Sequence, residues 1–260
     1  MGKVIRFSEI EGTIDSIGAG LNGSFLDTNF LIGLLHNEHE FNKSCEACFK
    51  ILAEKKCKLY VTHTIKVEFL DFQRRYLLSK KLEEVSRGAG HWYKRTSPAF
   101  KTFALAAIQT IEEESRIKML VDKDIKKLRQ KIYPSSNGML VGWVAFCNFF
   151  LNSDLNKSWK NVIDTLGVNY LNLRSEELAE GSYLLKKVDW DDMIKIVGST
   201  GVGTHDAMIV NAFNCSKFEI IISTDLDVAY AIGSDKKNTK VCALPDDLYD
   251  RHQKNIFSKF

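Results

Sequence analysis

Short apolar segments rich in β-branched and aromatic residues alternate along this chain with segments of helical periodicity, and this alternation limits the fold more than any other feature. The short segments are SFL (24–26), CKLYVT (57–62), VNYLNL (168–173), FEIIIST (218–224) and TKVCAL (239–244). Each is shorter than a typical helix, and apolar residues spaced three or four positions apart lie between them. The pattern predicts an α/β fold: a mainly parallel central sheet, flanked by helices in a three-layer, Rossmann-like arrangement.

Composition is consistent with a globular protein in a reducing compartment. Of the 260 residues 45% are hydrophobic, and the net charge of +3 is too small to indicate a nucleic-acid partner by itself. The six cysteines are scattered and do not suggest a disulfide framework. The longest apolar run, 138–151, is shorter than the roughly 20 residues that a membrane-spanning helix needs. We therefore expect no membrane association and a cytoplasmic location.

Two regions lie outside the alternating pattern. Residues 1–23 are weakly patterned and contain several glycines, so we interpret them as a lead-in segment. The middle of the chain, about 82–165, has long stretches of helical periodicity. There Pro98 marks the start of a helix that we expect to run to about Lys131.

Five acidic residues follow the predicted strands or begin the predicted helices. They are Asp27, Glu68, Asp206, Asp225 and Asp227. Because the carboxyl ends of parallel strands meet at one edge of the sheet, we expect these side chains to lie close together. Close carboxylates repel one another, and a hard divalent cation such as Mg²⁺ or Mn²⁺ relieves that repulsion. The alternative is that each acid is a separate helix cap or surface charge.

Four motifs that contain these acids occur in a characteristic order. They are FLDTNFLI, THTIKVEFL, GTHDAMIVNA and IISTDLDVAY. In this order the chain resembles the PIN-domain nucleases, a family that includes the toxins of many bacterial toxin–antitoxin modules. The resemblance covers about residues 24–82 and 167–245. No single motif is specific, whereas the ordered set is fairly specific.

The resemblance implies a divalent-metal-dependent ribonuclease in which water on Mg²⁺ or Mn²⁺ attacks an RNA phosphodiester. By position, Asp27, Glu68, Asp206 and Asp225 would be the catalytic acids that bind the metal, with Asp227 as a fifth ligand. Second-sphere groups that orient these carboxylates would be Thr28, Asn29 and Ser223. The family also implies an antitoxin-like inhibitor protein and a homodimer as partners.

The chain departs from the small toxin members of the family in its middle. Those members have a much shorter segment there, which forms a helical arm used in dimerisation and substrate access. We interpret residues 1–260 as one PIN-like domain whose core, 24–82 and 167–245, carries a helical insertion at about 84–165. The enlarged arm leaves both the toxin role and the dimer open.

A basic segment within the insertion is a candidate for substrate binding. In KDIKKLRQK, 123–131, positive and apolar residues interleave, and Lys126, Lys127, Arg129 and Lys131 are positioned to follow a phosphate backbone. The alternative is an ordinary solvated helix face.

Alternatives to the ribonuclease remain open at this stage. One is a nucleic-acid-binding or scaffold protein on the same fold with weak or no cleavage, and another is a DNA-directed, flap-type nuclease. A zinc site formed by Cys45, Cys48, His36 and His39 is a weaker alternative. Both cysteines fit the apolar stripe of a predicted helix at 40–56, so we expect them to pack inward.

Overall fold

A computed structural model describes residues 2–18, 22–88, 98–109, 112–114, 117–131, 147–171, 183–254 and 256–259. The chain forms two compact units. The first unit comprises Met1–Phe69 and Val162–Phe260, and the second comprises Leu70–Asn161. The helix His63–Ser86 begins in the first unit and continues into the second.

The described residues contain eight strands and eleven α-helices. The strands are β1 (Lys3–Arg6), β2 (Ser24–Leu26), β3 (Leu59–Thr62), β4 (Glu112–Glu114), β5 (Ile117–Met119), β6 (Val168–Leu171), β7 (Ile220–Ile222) and β8 (Val241–Leu244). The helices are α1 (Ile10–Ile17), α2 (Thr28–Leu35), α3 (Asn42–Glu54), α4 (His63–Ser86), α5 (Pro98–Ile108), α6 (Asp122–Lys131), α7 (Ser153–Lys160), α8 (Trp190–Thr200), α9 (Thr204–Cys215), α10 (Leu226–Ser234) and α11 (Asp246–His252). Short π-helical segments cover Asn148–Asn152 and Asn161–Thr165.

Six of the strands form one parallel sheet in the first unit, in the order β1-β8-β7-β2-β3-β6. The predicted α/β fold with a parallel central sheet is therefore confirmed. The central strands β2 and β7 are buried along their whole length, as strands covered on both faces require.

The order of the strands places a switch point between β2 and β7. After β2 the chain adds β3 and then β6 on one side of β2. It then returns to form β7 on the other side of β2, and β8 follows beyond β7. Right-handed crossovers then put the two sets of helices on opposite faces. In agreement, α1 and α2 pack on α3, while α8, α9 and α10 pack on one another. In open α/β sheets, ligands bind at the carboxyl ends of the strands at such a point.

Aromatic side chains fill the layer between the sheet and α9. Phe25 of β2 lies 5.8 Å from Phe213 and 6.1 Å from Phe218, measured between ring centroids. Tyr60 of β3 stacks on Phe218 at 4.5 Å. Phe25 and Tyr60 are paired in the sheet, so their shared contact shows which face of β2 and β3 points toward α9.

The second unit has its own apolar core. Residues from α4, α5 and α6 and from the segments beside them form this core, namely Leu78, Leu82, Val85, Ala104, Leu120, Ile125, Leu128 and Leu151. Buried Ser79 accepts a 2.8 Å hydrogen bond from the backbone N–H of Leu120, which ties the segment before α6 to α4. Arg74 bridges Asp71 and Asp122, each at 2.6 Å.

The weakly patterned lead-in, residues 1–23, contains a strand and a helix. Lys3–Arg6 forms the edge strand β1, paired with β8, and Ile10–Ile17 forms α1. Ile10 and Ile14 are buried one helical turn apart, which is the amphipathic spacing that the glycines of this segment obscured. Residues 19–21 lie outside the described part of the chain.

The single helix expected from Pro98 to Lys131 is also wrong. Helix α5 ends at Ile108, and an antiparallel hairpin of β4 and β5 precedes α6. Ile117 and Met119 are buried while Lys118 between them is exposed, and this two-residue period favours a strand. The second unit, which begins at Leu70, is thus not purely helical. Whether it is an insertion within one PIN-like domain stays a prediction.

No helix in the part of the chain that the structure describes combines the length and the apolar character needed to cross a membrane. Most of the apolar run at 138–151 lies outside that part.

Candidate functional site

Asp27 is the buried centre of the candidate site, which lies at the carboxyl edge of the sheet. It follows β2 in an extended conformation, and its backbone N–H donates a 2.9 Å hydrogen bond to the carbonyl of Ile222. The side chain is 1% exposed and does not cap α2. Instead, Asp27 Oδ2 accepts a 2.7 Å hydrogen bond from the hydroxyl of Ser223, the residue that follows β7. The carboxylate is therefore fixed by two neighbouring strands.

Asp225 is held at the start of α10 by three hydrogen bonds. Its Oδ1 accepts from the backbone N–H of Asp227 at 2.7 Å, and its Oδ2 accepts from the side-chain amide of Asn29 at 2.8 Å. Its own N–H donates to Ser223 Oγ at 2.8 Å. One serine hydroxyl therefore connects Asp27 and Asp225, and Asn29 at the start of α2 orients the second acid across the switch point.

Glu68, in the second turn of α4, and Asp206, in the first turn of α9, lie at the same edge. Thr28 Oγ1 donates a 2.6 Å hydrogen bond to Glu68 Oε2, so the residue directly after Asp27 positions this third acid. Asp206 lies close to the backbone of Gly203, where an added Cβ would stand 2.8 Å from Asp206 Oδ2. A glycine at position 203 thus leaves room for this carboxylate.

Burial and mutual repulsion dominate the electrostatics of the site. Burial raises the pKa of Asp27 well above its ordinary value, and the charges of Asp225 and Glu68 raise it further. Burial, followed by the same two acids and Asp227, raises the pKa of Asp206 to about 7. The pKa of Asp225 is also raised, chiefly by burial, although the hydrogen bond from Asp227 opposes the shift. The charged neighbours that raise these pKa values are other carboxylates.

The donor chemistry of this edge fits a hard divalent cation. Carboxylate and hydroxyl oxygens are the ligands that Mg²⁺ and Mn²⁺ prefer, and a cation would remove the repulsion that raises the pKa values. The geometry is not that of a closed coordination shell: within the described ranges, no three His, Cys, Asp or Glu side chains converge as a metal-binding group. The acids interact electrostatically but do not share one point at ligand distance.

The structure thus brings together the predicted acids and the groups predicted to orient them. The four acids influence one another's charge, and Thr28, Asn29 and Ser223 each donate a hydrogen bond to one of them. Asp227 lies beside Asp225, on the first turn of α10. Its backbone N–H, rather than its carboxylate, makes the described contact with Asp225.

The predicted substrate-binding residues lie on α6 in the second unit. Lys126, Lys127 and Arg129 are exposed. Lys127 forms a 2.8 Å ion pair with buried Asp124, so its charge is partly committed to the fold. The side chain of Lys131 lies outside the description. Substrate binding by this helix stays a prediction.

One further residue at this edge was not found from the sequence. Thr62, the last residue of β3, is 1% exposed, and its Oγ1 has no hydrogen-bond partner among the described residues. The registers of β2 with β3 and with β7, extended by a residue or two, place Thr62 and Ser223 on either side of Asp27. The sequence alone does not single out this threonine, because strand register is not visible in one sequence.

The cysteines of α3 pack into the core. Cys45 and Cys48 are buried, which confirms that they face inward. Burial raises the pKa of Cys45 to about 12, so its thiol holds its proton and behaves as an apolar group. His39 accepts a 3.1 Å hydrogen bond on Nδ1 from the backbone N–H of Phe41.

Comparison with known proteins adds no relative to this description. No family model, no curated protein and no solved structure matches the chain.

Proposed function

We propose that this protein is a divalent-metal-dependent ribonuclease with a PIN-like fold. The observation that carries the proposal is the burial of Asp27, Asp206 and Asp225 at the switch point of the sheet, where burial, and after it neighbouring carboxylates, raise the pKa of each. Burying several carboxylates close together lowers the stability of a fold unless a bound cation offsets their repulsion. The PIN-like order of motifs in the sequence supports the same function.

In this proposal the protein supplies fixed oxygen ligands. Asp27, Glu68, Asp206 and Asp225 would hold Mg²⁺ or Mn²⁺, with Asp227 at the rim. The ion would supply Lewis-acid activation of water and of the phosphodiester. The chain itself contributes rigidity: Ser223 holds Asp27, Asn29 holds Asp225 and Thr28 holds Glu68, at 2.7, 2.8 and 2.6 Å.

RNA is the proposed substrate, and the cytoplasm is the proposed location. The six cysteines are free thiols, a state that the reducing cytoplasm preserves. An exposed basic helix, α6, would contribute phosphate contacts through Lys126 and Arg129, which would make binding depend on salt.

The experiment that tests this function is cleavage of end-labelled RNA and DNA by the full chain, with Mn²⁺, Mg²⁺ or EDTA. Asp27→Asn serves as the site variant, and Glu46→Gln, an exposed acid on α3, serves as the matched control. We expect cleavage of RNA that requires the cation, persists in Glu46→Gln and is lost in Asp27→Asn.

The other outcomes separate the alternatives. Cation-dependent cleavage of DNA alone would identify a DNA-directed nuclease. Binding of RNA without cleavage under any metal would contradict the enzyme and support a scaffold role.

A further inference from the structure

Thr62 carries a buried hydroxyl that the fold of the protein does not use. Its Oγ1 has no hydrogen-bond partner in the described part of the chain, although the residue is 1% exposed. Buried hydroxyl groups in folded proteins are nearly always hydrogen-bonded to protein, water or ligand. A buried hydroxyl without a protein partner therefore calls for an explanation, and a bound water or ion is a common one.

The hydroxyl of Thr62 does not cap the helix that follows it. Thr62 directly precedes α4, where a threonine side chain ordinarily accepts a hydrogen bond from the first turn of the helix. Because Oγ1 has no such partner, the hydroxyl is not a cap. Helix capping thus does not explain why a polar side chain ends this buried strand.

The direction of the side chain follows from the register of the sheet. Phe25 pairs with Tyr60 across β2 and β3, and both rings contact Phe218 on the α9 side. Side chains two residues further along a strand point to the same face, which brings Asp27 and Thr62 onto that side. Asp206 begins α9 on this side of the sheet.

The same row continues through β7. Leu26 pairs with Ile222, so Ser223 stands beside Asp27, and the 2.7 Å hydrogen bond between them confirms the alignment. Three neighbouring strands therefore end in a row of polar side chains: Ser223, Asp27 and Thr62. The hydroxyl of Ser223 is hydrogen-bonded to Asp27, whereas the hydroxyl of Thr62 is not.

We propose that Thr62 is a ligand-contacting residue of the acidic site, whose hydroxyl bonds an oxygen atom of the hydrated divalent cation. This inference rests on the proposed function, since it assumes that a cation binds there. Thr62 would fix one water of the ion on the side of Asp27 opposite Ser223. Mg²⁺ and Mn²⁺ commonly keep several waters in protein sites, and such waters need protein partners.

The test compares Thr62, whose hydroxyl has no partner among the described residues, with a threonine whose hydroxyl is hydrogen-bonded. Thr62→Val keeps the β-branched shape and removes the hydroxyl, while Thr62→Ser keeps the hydroxyl. The matched control is Thr13→Val on α1, because Thr13 Oγ1 donates a 2.9 Å hydrogen bond to the carbonyl of Glu9 and is satisfied within the protein. For each full-length variant, Tm in EDTA and the Kd for Mn²⁺ by calorimetry would be measured.

We expect Thr62→Val to keep or raise Tm in EDTA and to weaken Mn²⁺ binding about 10-fold, the size of effect seen for groups that position a metal's ligands. Thr62→Ser should restore the affinity. Thr13→Val, at a half-exposed position of α1, should leave the affinity unchanged. A loss of affinity for Mn²⁺ without a loss of Tm is the result expected of a hydroxyl that contacts the bound ion's water and not the protein.

Two results would overturn the inference alone. One is a Thr62→Val protein that binds Mn²⁺ as tightly as the wild type while Asp27→Asn does not, as expected for an ordered structural water only. The other is a Tm of Thr62→Val in EDTA that falls clearly below that of the wild type, because the hydroxyl would then have a partner in the protein. If the wild type itself bound no Mn²⁺, the proposed function would fail together with the inference.

Discussion

Ser223 Oγ donates a 2.7 Å hydrogen bond to Asp27 Oδ2 and so joins the ends of two adjacent strands whose residues lie 196 positions apart in the chain. The same oxygen accepts from the backbone N–H of Asp225 at 2.8 Å. The hydrogen bond to Asp27 favours its charged form and lowers its pKa, against the larger effects of burial and of two neighbouring acids. The site thus keeps a costly acidic side chain in a fixed place, where burial and the neighbouring acids favour its protonated form.

The first prediction concerns Asp27→Asn. The change removes a negative ligand while keeping an oxygen that can accept the hydrogen bond from Ser223, so the fold should tolerate it. We expect cation-dependent cleavage to fall by at least about 100-fold, more than for groups that only orient ligands. Because the buried charge is gone, the free energy of unfolding at pH 8 in EDTA should equal or exceed that of the wild type.

Cleavage rates and urea denaturation of the same preparations check this prediction. Glu46→Gln removes an exposed charge on α3 and should change neither quantity. A fully active Asp27→Asn enzyme would exclude Asp27 from the site.

The second prediction is that Ser223→Ala affects both stability and function. The change removes the hydrogen bonds that Ser223 Oγ makes to Asp27 and to the N–H of Asp225. We expect the free energy of unfolding to fall by about 1–3 kcal/mol, because two polar groups lose a buried partner. Affinity for Mn²⁺ should fall about 10- to 100-fold as Asp27 loses its orientation. Denaturation and calorimetry measure the two effects, and Ser199→Ala, on the exposed side of α8, is the control.

The local parts of this site could be predicted from the sequence. A buried strand that ends in Asp27, and another that ends at Ser223 and Asp225, are visible as short apolar runs with polar ends. Once the sheet is taken as parallel, these ends must share an edge. The hydrogen bonds of Thr28 and Asn29 depend on their position in the first turn of α2, which the same pattern located.

The non-local parts could not be predicted in this way. The pairing of β1 with β8 joins residues from opposite ends of the chain, and β1 has four residues, too few for a clear two-residue period. The hairpin of β4 and β5 is hidden because each strand has three residues within a helix-rich region. Thr62 became part of the candidate site only when strand register placed it beside Asp27.

The third prediction concerns the dependence of stability on pH through Asp206. The pKa of this acid is raised from an ordinary value of 3.8 to about 7 in the folded protein, chiefly by burial and then by Asp225 and Glu68. The folded state therefore binds the proton more tightly than the unfolded state. This contribution to stability is fully present below pH 3.8 and is lost as the pH rises to about 7.

In Asp206→Asn, the loss of stability that Asp206 causes as the pH rises should disappear. In EDTA, the free energy of unfolding of the variant minus that of the wild type should increase steadily between about pH 4 and pH 7 and then level off. Urea denaturation across this range gives the difference directly, with Glu46→Gln as the flat control. A difference that is constant with pH would show that Asp206 titrates normally and does not interact with the other acids.

The fourth prediction tests whether α6 binds nucleic acid. Lys126→Glu and Arg129→Glu together reverse two exposed charges on this helix, whereas Lys127 is left in place because it pairs with buried Asp124. If both side chains contact phosphates, the slope of log K against log salt for single-stranded RNA should decrease in magnitude by about 1.4, or roughly 0.7 for each contact. Binding titrations with Asp27→Asn protein, at several salt concentrations, measure the slope without cleavage. Lys118→Glu reverses an exposed charge on β5 of the same unit and should leave the slope unchanged. An equal slope in the double variant and in Lys118→Glu would mean that α6 presents an ordinary solvated face, and that the substrate contacts lie elsewhere in the protein.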